Sequence, residues 1–290
     1  MTDAPPYALT IVTQADDAFA LSDALGFDAP MTALSVSIYD QPNGEMSVQA
    51  LYETSDEADA ALSGLTLPNG AKATVARLPD EDWVSLSQSG LAPVTAGPFF
   101  IYGAHDADEV PVDCPFPIQI EAGLAFGTGH HGTTKGCLLA FDALTKSGFD
   151  PKKVLDLGAG AGVLAIAAAM KLKRDILASD IDQDSVDVTL DNAALNDVRG
   201  HIEAVRADGF GHEALKDQRF DLIFANILAG PLLKMAPDIA NATAPEGRVI
   251  LSGILTEQAD EVAAGFKAAG LICETQPPLG GWVTLIGKPG

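Results

Sequence analysis

Over the first eighty residues, apolar and polar positions repeat at two periods. Alternation over 7–13, 33–39, 46–52 and 72–77 predicts four strands, separated by a turn at 41–44 and by helical spacing at 15–25 and 55–62. Gly26 ends the first helix. Ser55 is the candidate cap of the second, with Asp56, Glu57 and Asp59 near its positive end. The order strand, helix, strand, strand, helix, strand is that of a ferredoxin-like sandwich, a small sheet covered by two helices. Residues 1–81 are therefore expected to fold as a unit of their own.

Beyond residue 117 the alternation gives way to short apolar runs separated by helical stretches. Strands are predicted at 154–157, 175–180, 202–207, 219–224 and 247–252, with helices at 136–144, 163–170, 184–196 and 256–269, and another opened by Pro231. Two strands at 271–275 and 281–287 close the chain. The class is α/β: a doubly wound parallel sheet with a late hairpin-like element, over residues 117–290. Residues 82–116 place Trp83, Phe99, Phe100 and Tyr102 among prolines and glycines, which reads as a connector packed on both domains.

The large domain is organised around KKVLDLGAGAG, residues 152–162, where a buried strand runs into three glycines separated by single alanines. Glycine lets such a turn approach a ligand closely. A dinucleotide fingerprint would need a glycine at 163, which is Val163. The series Asp156, Gly158, Gly160, Gly162 instead resembles the first motif of S-adenosylmethionine-dependent methyltransferases. Twenty-four positions beyond Asp156, the strand DILASD ends on Asp180, whose carboxylate can accept both hydroxyl hydrogens of a ribose. Asp182 competes for that role, or caps the next helix. Asp208, after the third strand, is placed either on the adenine amine or in a loop cap. Asn226, at the end of the fourth strand, either orients a nucleophile through its side-chain oxygen, with a carbonyl of Ile227 or Leu228 nearby, or caps the following helix.

A second informative stretch is AFGTGHHGTT, residues 125–134. Gly127 and Gly129 flank Thr128 in a loop suited to fold over a cofactor, and Thr133 or Thr134 is the candidate cap of the next helix. Adjacent histidines point apart, and His130 and His131 lack a nearby acid or cysteine, so no metal site is expected.

Charge narrows the partners. Forty acids against seventeen bases give a net charge of −23, which argues against a nonspecific or sequence-specific hold on nucleic acid and favours a basic partner, although charge also serves solubility. Residues 1–81 carry thirteen acids and two bases, a net of −11. Such a surface either steers a lysine-rich protein or is a solvated face. Cys114, Cys137 and Cys273 fit neither a zinc spacing nor a disulfide framework. No secretion signal is visible, and the apolar run after Gly162 stops at Lys171, short of a membrane span. The expected location is the cytoplasm, without membrane partners.

Taken together, AFGTGHHGTT at 125–134, LDLGAGAGVLAIAAA at 155–169, SDIDQDSV at 179–186, NAALN at 192–196, ANILAGPL at 225–232 and SGIL at 252–255 resemble the PrmA-type methyltransferases. These enzymes methylate ribosomal protein number eleven of the large subunit. The resemblance implies a class I methyltransferase domain that binds S-adenosylmethionine and releases S-adenosylhomocysteine without a metal. It also implies a small domain that recognises the substrate, free or in assembling ribosomes. It places Thr128, Gly158, Gly160, Asp180 and Asn226 at cofactor or active-site positions, with lysine side-chain amines and the substrate's α-amine as acceptors. Three departures stand out. The family commonly reads AFGTGTHPTT, so His130 replaces threonine and Gly132 replaces proline, and Glu121–Ala122 stands where Asp-Pro is common. Gly132 is expected to loosen the loop. A methyltransferase for small molecules or nucleic acid and a noncatalytic cofactor-binding regulator are the competing readings.

Overall fold

The computed structural model describes residues 7–14, 17–18, 21–22, 24–25, 33, 35–40, 46–68, 70–77, 93–121 and 132–290. The chain divides into two compact units, Met1–Trp83 and Val84–Gly290.

In the first unit the elements are β1 (Tyr7–Thr13), β2 (Ser35–Asp40), β3 (Met46–Tyr52), α1 (Ser55–Gly64) and β4 (Lys72–Arg77). The sheet order is β2-β3-β1-β4 with every neighbouring pair antiparallel, the ferredoxin-like arrangement. Alternation puts Leu9, Ile11, Val48, Ala50 and Tyr52 into one core with Ala58 and Ala61 of α1. Residues 17–18 and 21–22 are helical, and Ala18, Leu21 and Leu25 enter the same core. The rest of the expected first helix lies outside the described residues. Ser55 is not the cap of α1. Thr54 accepts from the Glu57 amide at 3.3 Å, while the Glu57 carboxylate accepts from the Thr54 amide at 3.1 Å, a reciprocal capping box.

In the second unit, β5 (Val94–Ala96) and β6 (Phe99–Tyr102), within the stretch read as a connector, form a three-stranded sheet with β7 (Phe116–Gln119), which runs from the last residue of that stretch into the domain expected from 117 onward. Then follow α2 (Gly132–Lys146), β8 (Val154–Leu157), α3 (Val163–Leu172), β9 (Ile176–Asp180), α4 (Gln183–Leu195), β10 (Ile202–Arg206), β11 (Phe220–Asn226), α5 (Ala229–Ala242), β12 (Thr243–Leu255), α6 (Ala259–Ala268), β13 (Leu271–Thr275) and β14 (Trp282–Pro289). The seven-stranded sheet runs β10-β9-β8-β11-β12-β14-β13. β8 to β12 are parallel, and β14 is antiparallel to both its neighbours. From β8 the chain winds outward first through β9 and β10, then the other way through β11 and β12. The carboxyl ends of β8 and β11 therefore flank the switch point, where open α/β sheets hold ligands.

A part-buried ion pair joins α2 to α3 beside the small sheet of β5 to β7. Lys171 of α3 donates to Asp142 of α2 at 2.6 Å, and Lys146 bonds the other carboxylate oxygen at 2.7 Å. The Lys171 ammonium also lies 5.4 Å from the ring centre of Phe99, 5.7 Å from Phe116 and 5.8 Å from Phe141. Burial pushes the Asp142 carboxyl up, but hydrogen bonds from Lys146 and Lys171 outweigh it and hold it below the ordinary carboxylate range.

α2 starts earlier than the sequence suggests. Thr133 and Thr134 are buried inside its first turn instead of capping it. At Gly132 a Cβ would lie 2.2 Å from the Leu279 carbonyl oxygen, so the helix starts pressed against the 279–282 turn. The glycine at the family's proline position is thus a close-packing residue within α2, and the loop it was expected to loosen lies outside the described residues.

Candidate active site

β8 ends at the centre of the sheet, and the turn that follows is folded onto β9. Gly158, Gly160 and Gly162 have φ of 74°, 55° and 80°, a region that side chains with a Cβ oppose. The amides of Gly158 and Ala159 both donate to the Ser179 carbonyl, at 2.8 and 3.0 Å. The Gly160 amide donates to Asp180 Oδ2 at 2.9 Å, and the Asp182 amide to Asp180 Oδ1 at 3.1 Å. A carboxylate oxygen has two acceptor positions, so each oxygen of Asp180 keeps one for a ligand, the pair that two neighbouring hydroxyls require. Asp182 is the N-cap of α4, accepting from the Asp184 amide at 3.3 Å. Asp208 is exposed just beyond Ala207, whose amide donates to the Asp180 carbonyl at 2.7 Å.

Thr189, which the sequence did not single out, and the two asparagines at the ends of the NAALN stretch hold this turn from below. The Thr189 hydroxyl of α4 donates to the Gly160 carbonyl at 2.8 Å, and Asn192 Nδ2 donates to the Ala161 carbonyl at 2.9 Å. Asn192 Oδ1 accepts from the Glu121 amide at 3.1 Å, while Asn196 bonds both the amide and the carbonyl of Gln119. The sequence offered NAALN as a stretch shared with the family but gave its two asparagines no role. Their partners lie 71 and 77 residues away, and nothing local reports that.

Asp156 sits beneath the turn, 1% exposed, and accepts from the Ala165 amide at 2.9 Å. It thereby serves the first turn of α3, whose N-cap, Gly162, has no side chain to do so. Burial pushes its carboxyl up to about 7, opposed by the Ala165 amide and reinforced by the nearby Asp180 charge. The folded state then holds a proton that the unfolded chain releases above its ordinary carboxylate value. This contribution is complete below about pH 4 and is lost as pH rises through the folded value near 7. Urea unfolding should show the wild type losing about 2–3 kcal/mol relative to Asp156→Asn between pH 5 and pH 8. Parallel pH profiles for the two proteins would contradict this.

Across the switch point, Asn226 ends β11 and is half-buried. Its Nδ2 donates to the hydroxyl of buried Thr134 at 3.2 Å, which turns Oδ1 away from that contact. Asn226 does not cap α5, whose N-cap is Leu228 without a side-chain bond. The Leu228 carbonyl accepts from the Leu232 amide at 3.1 Å. The Ile227 side chain lies against Gly158, where a Cβ would come within 2.5 Å of its Cγ2. The glycine turn, Asp180, Asn226 and Thr134 thus gather at one sheet edge. Thr128, His130 and His131 lie outside the described residues. Among the described residues no group of three or more His, Cys, Asp or Glu could hold a metal. Cys114, Cys137 and Cys273 are free thiols.

A glycine turn after the central strand, an acid ending the next strand and an antiparallel strand inserted near the far edge define a class I S-adenosylmethionine-dependent methyltransferase. The family described as ribosomal protein L11 methyltransferase (PrmA) matches residues 15–289. A ribosomal protein L11 methyltransferase from Caulobacter sp. (strain K31) is 41% identical over 289 residues, covering 99% of each chain. One from Brucella suis is 49% identical over 210 residues, 72% of this chain and 73% of the relative. The crystal structure of a ribosomal protein L11 methylase from Lactobacillus delbrueckii subsp. bulgaricus superposes with a TM-score of 0.58 at 30% identity, over 68% of this chain and 98% of that one. The chain belongs to the ribosomal protein L11 methyltransferase family and is an S-adenosylmethionine-dependent methyltransferase.

Proposed function

We propose that this enzyme methylates lysine side-chain amines and the N-terminal α-amine of ribosomal protein L11, free or in assembling ribosomes, in the cytoplasm. The family match over 15–289 supports the protein substrate. The observation that carries the amine acceptor is Asn226: with Nδ2 committed to Thr134, its oxygen is left to receive an N–H from an entering amine. S-adenosylmethionine, when bound, supplies a methyl on a sulfonium whose departure leaves S-adenosylhomocysteine. Gly158 and Gly160 would let backbone approach it and Asp180 would accept from its ribose, with Asp208 and, outside the described residues, Thr128 as the remaining residues assigned to hold it.

The chain's task is to align the amine and to favour its neutral form. An amine attacks only when neutral, which at pH 7 costs roughly 4.6 kcal/mol for a free lysine and about 1 kcal/mol for an α-amine. A desolvated position near a positive charge favours the neutral form, and solvent takes the proton before transfer. Asn226 then fixes the direction of the lone pair without acting as a base. The acidic residues 1–81 suit docking of a lysine-rich protein, the role we assign to the first unit.

Incubation with labelled S-adenosylmethionine and purified L11, followed by intact-mass and peptide analysis, tests this. Added methyl masses on L11 lysines and its N-terminus are expected. Unlabelled L11 beside a labelled small molecule or RNA would overturn the substrate assignment.

A further inference from the structure

β12 loses register with β14 between Leu251, opposite Leu285, and Ile254, opposite Val283. Two residues of β12, Ser252 and Gly253, therefore face one of β14, Thr284, which is a one-residue bulge. Ser252 stays paired with Asn226 on the other side, so the bulge lies directly beside the residue that ends β11. Gly253 has φ of 81°, and a Cβ there would lie 2.2 Å from the Ile227 carbonyl oxygen, 2.6 Å from its carbon and 3.1 Å from its nitrogen. All three atoms are backbone, so a flexible side chain cannot relieve the contact. The Ile227 peptide rests on the bare Cα of Gly253, while its side chain rests on Gly158.

We infer that Gly253 is a positioning residue for the methyl acceptor: the bulge seats the Ile227 peptide, and so fixes where Asn226 aims its side-chain oxygen. The inference rests on the reading of Asn226 as the group that orients the amine. The buried Thr134 hydroxyl holds one end of the Asn226 amide at 3.2 Å. The backbone immediately after Asn226 is held by Gly253, so side chain and main chain are fixed separately. A Cβ at 253 would push the Ile227 peptide by about an ångström, a displacement that costs on the order of a hundred-fold in rate when it misaligns reacting groups.

The test compares Gly253→Ala, Gly253→Asn and the control Gly287→Ala in the full chain. Asparagine tolerates a positive φ but retains the Cβ, so it separates backbone strain from the contact with Ile227. At Gly287 an added Cβ would meet Val249 Cγ2 at 2.6 Å, crowding the same sheet away from Ile227. Both Gly253 variants should lose about a hundred-fold in single-turnover methyl transfer to L11 at saturating donor. Calorimetric donor affinity should stay within about three-fold, and the Asn226 side-chain amide resonance of the ligand-free protein should shift. Gly287→Ala should transfer at the wild-type rate per folded molecule. A folded Gly253→Ala or Gly253→Asn protein with wild-type transfer and an unmoved Asn226 resonance would overturn the inference. If Asn226→Ala is slow while the Gly253 variants are normal, only the role of Gly253 fails; if Asn226→Ala is also normal, the reading of Asn226 fails with it.

Discussion

Asn226→Ala should fold normally, bind S-adenosylmethionine within a few-fold of wild type, and transfer methyl about a hundred times more slowly in a single turnover. The separation of these effects follows from where Asn226 stands. It ends β11, across the switch point from Asp180, and its structural bond is one hydrogen bond to Thr134 at 3.2 Å. Losing that bond costs stability by only about 1 kcal/mol. Losing its oxygen removes the group that orients the attacking lone pair, a loss expressed after donor and acceptor are both bound. α5 should be unaffected, because its first turn takes nothing from Asn226. Rapid-quench transfer at saturating donor, beside calorimetric donor binding, separates the two. Equal rates for the folded variant and wild type would reject the assignment; equal loss of binding and rate would make Asn226 a cofactor residue instead.

Lys171→Ala should be the most destabilising of the substitutions considered, by about 3 kcal/mol, as when one partner of a buried ion pair is removed. The Lys171 side chain is 15% exposed and that of Asp142 8%, so the carboxylate would keep only Lys146, itself 71% exposed. The variant also leaves a void under Phe99, Phe116 and Phe141, which link the small sheet to α2. The double variant Lys171→Met with Asp142→Leu should recover most of the loss, because the charge is then removed as a pair. Urea unfolding of the three variants decides. A Lys171→Ala protein within 1 kcal/mol of wild type would show that the pair contributes little to the fold. Asp142 and Asp156 also bear on pH in opposite directions. The folded carboxyl of Asp142 is held down, so its contribution is present above the unfolded value and fades as pH falls, whereas that of Asp156 fades as pH rises.

The parts of the site legible in the sequence were those encoded within a few residues. The glycine turn follows its strand directly, and Asp180 ends the next one, so spacing alone placed both at one sheet edge. The supporting bonds were illegible because they join distant stretches. Thr134 and Asn226 are 92 residues apart, and Asn196 meets Gln119 across 77. Gly253 carried no periodic signal, since a bulge is defined by what the partner strand does. β5, β6 and β7 were hidden for another reason: strands of three or four residues that follow Pro93 and Pro98 or, in β7, contain Pro117 are too short to show alternation. In α1 the cap was misplaced by one residue, because Thr54 and Ser55 are both good caps and only the Glu57 three places beyond Thr54 decides between them. The alternating strands of the first unit and the buried strands of the second were plain because their periods follow from burial on one face or on two.

Methyl transfer by this chain requires a donor nucleotide seated between the Gly158 turn and Asp180. Calorimetric titration of S-adenosylmethionine into the wild type and Asp180→Asn tests that most directly. Saturable one-site binding by the wild type is expected, weakened about ten-fold or more in the variant because an ionised acceptor pair becomes a neutral amide. Absence of binding to the wild type, or equal affinity in the two proteins, would contradict it.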